Sequence, residues 1–281
     1  MLEGAIDSHA HPAPDVIERS QSIAEAANDF AGLGCAGFVA KSHVIPTTTM
    51  VAATAPHPVS VFSSITLNSS VGGLNAGAVE IAANMGARVV WMPTFDSLQQ
   101  HQQHVPPATP GVFAVDQRSP RRPLVPLLDN GKPVAALHDV LDVAAEYDLT
   151  IASGHVSKLE SMSLVEAALA RGLNNVVVTH PGLPHLGYSI DAQAALAQRG
   201  AWIELTFNSL ATGKVPVATA LETIRQVGMD RIVLSGDLGQ PRFGSIANGM
   251  LGWARLLLAA GFSIAEARQL LVTNPHRLLS L

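Results

Sequence analysis

The stretch AIDSHAHPAPD, Ala5 to Asp15, decides how the rest of the chain is read. Directly after the first apolar residues it places Asp7, His9 and His11 two residues apart. On a β-strand, side chains at i, i+2 and i+4 point to one face. The three are therefore expected to converge on one small space. What they share is an ability to bind a proton or a metal.

Outward from this stretch, short β-branched or apolar runs alternate with Ala-rich helical stretches. The runs span 5–11, 37–43, 59–68, 87–94, 149–155, 175–181, 201–208 and 231–237. Ser22 with Glu25, Ser163 with Glu166 and Ser263 with Glu266 have capping-box spacing, a signature of helix starts. Gly86, Gly172, Gly200, Gly228 and Gly261 sit where the helices should stop. Eight strand–helix units predict parallel strands with crossover helices, closing into a (β/α)8 TIM barrel of the α/β class.

Each run also ends on a polar residue: His11, Lys41, Asn68, Thr94, His155, His180, Asn208 and Asp237. Six of the seven intervals are about 25–30 residues, the length of one strand–helix unit. The interval from Thr94 to His155 has room for about 34 more. This insertion after the fourth strand, roughly 97–133, is rich in Pro and Gln and carries His101, His104, Arg118, Arg121 and Arg122. It follows a strand's C-terminal end, where active-site loops lie, so we expect a lid or substrate-closing loop. The plainer alternative is an oligomer contact or a disordered excursion.

Composition bounds the answer. A chain of 281 residues suits one barrel domain over 1–281, and 48% hydrophobic with 14% charged residues suffices for a large core. The net charge is −5 with no Lys/Arg run, which argues against nucleic acid and an anionic membrane surface as partners. Cys35 is the only cysteine, so neither an internal disulfide nor a thiolate cluster is available. No basic-then-apolar leader and no membrane-length apolar run is present. The expectation is a soluble, cytoplasmic protein acting on a small molecule, with a homo-oligomer left open.

In a parallel barrel the strand C-termini ring one mouth. His9, His11, His155, His180 and Asp237 would all face it. Neutral imidazole and carboxylate are ligands of Zn²⁺, Mn²⁺ or Fe²⁺. A lone strand-end histidine is usually a hydrogen-bonded core residue. Four of them with an aspartate on four strand ends are hard to explain by packing, because buried unpaired imidazoles are costly.

This constellation resembles the amidohydrolase superfamily. Its members carry His-x-His after the first strand of a distorted TIM barrel, histidines after the fifth and sixth, and aspartate after the eighth. Here those elements read Asp7-Ser8-His9-Ala10-His11, Gly154-His155, Thr179-His180-Pro181 and Ser235-Gly236-Asp237. The tail Thr273-Asn274-Pro275-His276-Arg277-Leu278-Leu279 is also similar. Lys-Ser-His at 41–43, Gly-Gly-Leu-Asn at 72–75 and Trp-Met-Pro-Thr at 91–94 look like a poorly characterised group of amidohydrolase-related proteins.

The resemblance implies a metal-dependent hydrolase. A metal-activated hydroxide would cleave an amide, cyclic amide, lactone or ester bond, with Asp237 moving the proton. Binuclear relatives often bridge their metals with a carboxylated lysine after the fourth strand; here that strand ends Met92-Pro93-Thr94 and offers none. Lys41, after the second strand, is expected to take the role. His9, His11 and Asp237 would hold one ion, and His155 and His180 the other. Zn²⁺ is the first choice, two ions are favoured over one, and Mn²⁺ and Fe²⁺ are alternatives. The competing readings are a mononuclear decarboxylase of the same superfamily, with Lys41 as a free ammonium, and a non-catalytic metal or ligand binder.

Around this set, Asp7 is expected to orient a ligand imidazole. His43, Asn68, His185 and Asn208 are candidates for substrate contact. His57 and His138 are expected to play no part in the site.

Overall fold

The structure is a computed structural model that describes residues 1–102 and 121–281. Ten strands are described: β1 (Ile6–Ala10), β2 (Gly37–Ala40), β3 (Ser60–Thr66), β4 (Ala87–Trp91), β5 (Leu128–Asp129), β6 (Lys132–Pro133), β7 (Thr150–Ala152), β8 (Val176–Val178), β9 (Trp202–Thr206) and β10 (Ile232–Ser235). β5 and β6 form a small antiparallel hairpin. The other eight build one parallel sheet in the order β1-β2-β3-β4-β7-β8-β9-β10. The sheet curls into a barrel because β10 returns to β1. Asp237 N–H donates to the His9 carbonyl at 2.7 Å, and His11 N–H to the Leu238 carbonyl at 2.8 Å.

All eight expected strands are present, each ending short of its polar residue. His9 is inside β1, and Lys41 is the first residue after β2. His155, His180 and Asp237 sit two or three residues past β7, β8 and β10, on turns bent over the mouth. Ser22 with Glu25 and Ser263 with Glu266 form the expected capping boxes. The third box is corrected: Ser163 is inside the helix Lys158–Leu169, and Ser157 with Glu160 caps it. That helix begins sooner because Glu160 also accepts Leu127 N–H at 3.0 Å, tying its first turn to the insertion.

Two apolar layers hold the barrel. An inner cluster fills it with Ile6, Val39, Val89, Trp91, Trp202 and Val233 among others, plugged from the far end by Leu278 and Leu279. Asn274 clamps this plug, its Nδ2 donating to the carbonyls of Ile232 and Met229 at 2.6 and 2.7 Å. An outer cluster packs the helices on the sheet. Each fully buried large side chain stabilises the fold by about 1.5–3 kcal/mol. No helix among the described residues is long and apolar enough to cross a membrane.

The expected insertion begins with a helix at Leu98–Gln102 and ends with the β5–β6 hairpin, after which the helix Ala135–Glu146 leads into β7. Gln99 Nε2 donates to the His185 carbonyl at 2.8 Å. His104 and Arg118, and with them about half of the expected lid, lie outside the described residues.

Candidate metal centre

β1 and the turn after β10 bring three groups together. His9 Nε2 and His11 Nε2 are 3.2 Å apart, and Asp237 Oδ1 lies 3.3 and 3.1 Å from them. His9 and His11 share one side of the strand, as the period of two requires. Asp7 does not join them. The register of β1 against β2 shifts between Asp7 and Ala10, and the Asp7 carboxylate is turned to backbone instead. Its Oδ1 accepts from His9 N at 3.0 Å and Gly236 N at 2.9 Å. Asp7 therefore pins the main chain of both arms of the site and orients no imidazole.

The imidazole partner is Glu204, in the middle of β9. Its Oε1 accepts from His9 Nδ1 at 3.0 Å and from Ser235 Oγ at 2.7 Å, and its Oε2 accepts from His180 N at 3.2 Å. The sequence reading passed over Glu204. The available signal was a lone carboxylate within the apolar run AWIELTFN, a position where burial requires partners.

The His9 tautomer follows from these contacts. Burial raises the Glu204 carboxyl, against the pull of His180, Ser235 and Lys41. As a carboxylate accepting from Ser235 and the His180 N–H, it sets the His9 proton on Nδ1. His11 Nδ1 lies 3.2 Å from the Lys41 carbonyl, which only accepts, and 3.4 Å from Arg19 Nη2, which only donates. His9 Nε2 then faces His11 Nε2, the Asp237 carboxyl oxygen and the Lys41 amine. Two imidazole nitrogens and a carboxyl oxygen held this close fit a divalent cation. Burial drives His9 down to about 3 and His11 well below its usual range, so both are neutral. The His9–Glu204 contact is then a hydrogen bond to a carboxylate and not an ion pair.

Lys41 is completely buried beside this triad. Its Nζ is 3.0 Å from His9 Nε2 and 3.8 Å from the centre of the Trp91 ring. Desolvation lowers it to about 8, against the pull of Asp237 and Glu204. His155 and His180 stand next to the triad, with ring centres 5.0 Å apart and His180 5.9 Å from His9. The Nδ1 atoms of both are buried without a hydrogen-bond partner. Burial keeps both neutral, His180 at about 3. Orphaned neutral imidazoles fit a second cation, but no carboxylate joins them: among the described residues the one group of three convergent donors is His9, His11 and Asp237.

Two site residues hold left-handed backbone, His180 at φ +28° and Asp237 at φ +52°. Such non-glycine conformations cost about 1–3 kcal/mol each and cluster at functional sites. Here the main-chain bonds His180 N to Glu204 and Asp237 N to His9 impose them, and Asn208 Nδ2 grips the Asp237 carbonyl at 2.7 Å.

The site floors a cavity of about 600 Å³. His43, His185 and Asn208 line it together with Phe95, Gln100 and Gln240. His43 is stacked between His11 and Phe95, its Nδ1 2.9 Å from Thr94 Oγ1. Asn68 is the exception among the expected substrate contacts. It is buried, donates to the His43 carbonyl and Thr94 Oγ1, and accepts from Thr94 N and Asp96 N. Its donors and acceptor are occupied by the loops after β2 and β4. His57 and His138 are away from the mouth, against Thr54 and Arg171 respectively.

Residues 4–204 match the model of the Family of unknown function (DUF6282). The chain belongs to that family. No curated protein matches it. Among solved structures it is similar to an amidohydrolase from Pseudomonas aeruginosa, with a TM-score of 0.66 at 12% identity over 98% of this chain and 95% of that one. An organophosphorus hydrolase from Deinococcus radiodurans gives 0.60 at 13% identity over 99% and 92%. A 2,6-dihydroxybenzoate decarboxylase from Rhizobium gives 0.58 at 12% identity over 99% of both chains. The shared property at these identities is the fold, a parallel eight-stranded barrel with helices around it.

Proposed function

We propose that this member of the family is a divalent-metal-dependent hydrolase cleaving an amide, cyclic amide, lactone or ester bond of a small molecule. The supporting observation is the convergence of His9 Nε2, His11 Nε2 and Asp237 Oδ1 within 3.3 Å of one another. Its nitrogen and oxygen donors favour Zn²⁺, with Mn²⁺ and Fe²⁺ as alternatives. When bound, the ion supplies Lewis acidity and lowers the pKa of water towards neutrality.

The chain's residues supply the rest. Asp237 is the member of the triad that meets solvent, its side chain 15% exposed against 0% for His9 and 2% for His11. It takes the proton of the attacking water and returns it to the leaving nitrogen or oxygen. Its anchored backbone means that no reorganisation is needed as charge moves. His43, His185 and Asn208 contact substrate in a cavity of small-molecule size.

His155 and His180 hold a second ion with Lys41. Near neutral pH a lysine lowered to about 8 is more often a free amine than usual. The amine adds to CO₂, forming a carbamate and releasing one proton. This gives the imidazole pair the carboxylate it lacks.

One observation favours a second reading. The Lys41 amine over the Trp91 face is a geometry that favours an ammonium. In that case one ion is held, Lys41 grips a substrate carboxylate, and the reaction is decarboxylation, as the name of the Rhizobium enzyme states for that protein. Metal content and a panel of amides, lactones, esters and aromatic acids separate the two. Hydrolysis with two ions per chain supports the first reading. CO₂ release with one ion replaces it. His9→Ala or His180→Ala should strip metal and activity while the barrel stays folded, and full turnover by metal-free His9→Ala overturns both.

A further inference from the structure

The loops after β2, β3 and β4 carry a chain of hydrogen bonds that the reaction above leaves unused. It runs from Asn68 through Thr94 to His43. Asn68 Oδ1 accepts from the backbone N–H groups of Thr94 and Asp96 at 2.9 and 3.1 Å, so the amide is fixed and Nδ2 is the atom 2.7 Å from Thr94 Oγ1. Thr94 Oγ1 is therefore an acceptor towards Asn68 and has one proton of its own to place. Thr94 is completely buried, and the other hydrogen-bond partner of this hydroxyl among the described residues is His43 Nδ1, at 2.9 Å. A buried hydroxyl proton without an acceptor is costly, so Thr94 donates and His43 Nδ1 accepts.

The His43 proton is then on Nε2. A charged ring would carry one there too, so this donor is present in either state. Nε2 lies on the side of the ring away from Thr94, and nothing among the described residues accepts from it. The ring lines the main cavity, stacked between His11 and Phe95 with centres 4.9 and 4.1 Å away. A protonated Nε2 offers no lone pair to a cation, and His43 stands outside the group of convergent donors.

We propose that His43 Nε2–H is the hydrogen-bond donor for the substrate's carbonyl oxygen as that oxygen becomes anionic, with Thr94 and Asn68 as positioning residues. When the attacking oxygen adds to the carbonyl carbon, the C=O π pair moves to the carbonyl oxygen, which accepts from Nε2–H without taking its proton. When the pair returns, the leaving atom departs with the proton that Asp237 took from the water. Two stacked faces and a relay of fixed polarity keep the donor aimed before the reaction begins. The inference rests on the hydrolytic reading, but its first test needs neither metal nor turnover.

Long-range ¹H–¹⁵N spectra of metal-free, full-length protein should show the His43 proton on Nε2. Methylphosphonate, a tetrahedral oxyanion, is then titrated into Zn²⁺-loaded protein and should shift that N–H. His43→Phe keeps the ring stack and removes the donor. It should take up Zn²⁺ as wild type does and bind methylphosphonate about tenfold or more weakly. Thr94→Val should lose part of that affinity, and Thr94→Ser, which keeps the hydroxyl, should restore it; thermal melts identify which variants are folded. A His43 proton on Nδ1 overturns the proposal, as does methylphosphonate that leaves Nε2–H unmoved, or wild-type methylphosphonate affinity in folded His43→Phe. If the protein takes up no Zn²⁺, the hydrolytic reading fails and the His43 tautomer alone decides the relay.

Discussion

Glu204→Gln replaces one carboxyl oxygen by NH₂ and should move the His9 ring proton from Nδ1 to Nε2. Glu204 accepts three hydrogen bonds, from His9 Nδ1, Ser235 Oγ and His180 N. A carboxamide accepts on one side only. The His180 backbone N–H cannot become an acceptor, so the glutamine oxygen must occupy the Oε2 position. The NH₂ then faces His9 Nδ1 and Ser235 Oγ. The serine hydroxyl rotates and accepts. His9 avoids a donor–donor clash by losing the Nδ1 proton and carrying it on Nε2. That proton points into the triad and blocks the lone pair a cation needs. Loss of such a supporting contact typically lowers metal affinity about 10–100-fold, or about 1.4–2.7 kcal/mol. Fold stability should change little, because each donor keeps an acceptor except for the rotated hydroxyl. The assay is competition for Zn²⁺ against a chromophoric chelator, with ¹⁵N NMR of the His9 ring reporting its tautomer. Wild-type zinc affinity in a folded Glu204→Gln protein, or an unchanged His9 tautomer, would refute the reasoning.

Lys41→Ala separates the metal counts: it should lose one of two ions if Lys41 is the bridging carbamate, and small carboxylic acids should partly restore it, whereas unchanged metal content sinks the carbamate. Gly154→Ala should destabilise the fold by about 3 kcal/mol or more, measured by denaturant unfolding. Gly154 has φ +61°, and an added Cβ would meet the Met92 carbonyl oxygen at 2.2 Å. Asp7 makes the metal-free protein pH-sensitive. Burial raises its carboxyl from 3.8 to about 7, so its contribution to stability is complete below pH 4 and is lost as pH rises towards 7. The loss is about 4 kcal/mol. Asp7→Asn keeps the acceptor for His9 N and Gly236 N and should flatten stability between pH 4 and pH 7, whereas an unchanged pH slope counts against a raised Asp7.

The barrel and the histidines at its mouth were legible in the sequence because both depend on local periodicity. Eight apolar runs at one spacing define parallel strands, and the parity of β1 puts His9 and His11 on one side. Such patterns survive in one dimension. The partners of those residues were not legible, because they come from strands far apart in the chain. Glu204 reaches His9 across 195 positions and Asp237 reaches His11 across 226. The backbone N–H groups of His9 and Gly236 engaged Asp7, and the loops after β2 and β4 engaged Asn68 fully. Both outcomes depend on where neighbouring backbone leaves a donor unpaired. Composition and motif named the residues able to bind a metal. Only the closing of β10 on β1, which sets two imidazole nitrogens and a carboxyl oxygen within 3.3 Å, decided which of them meet.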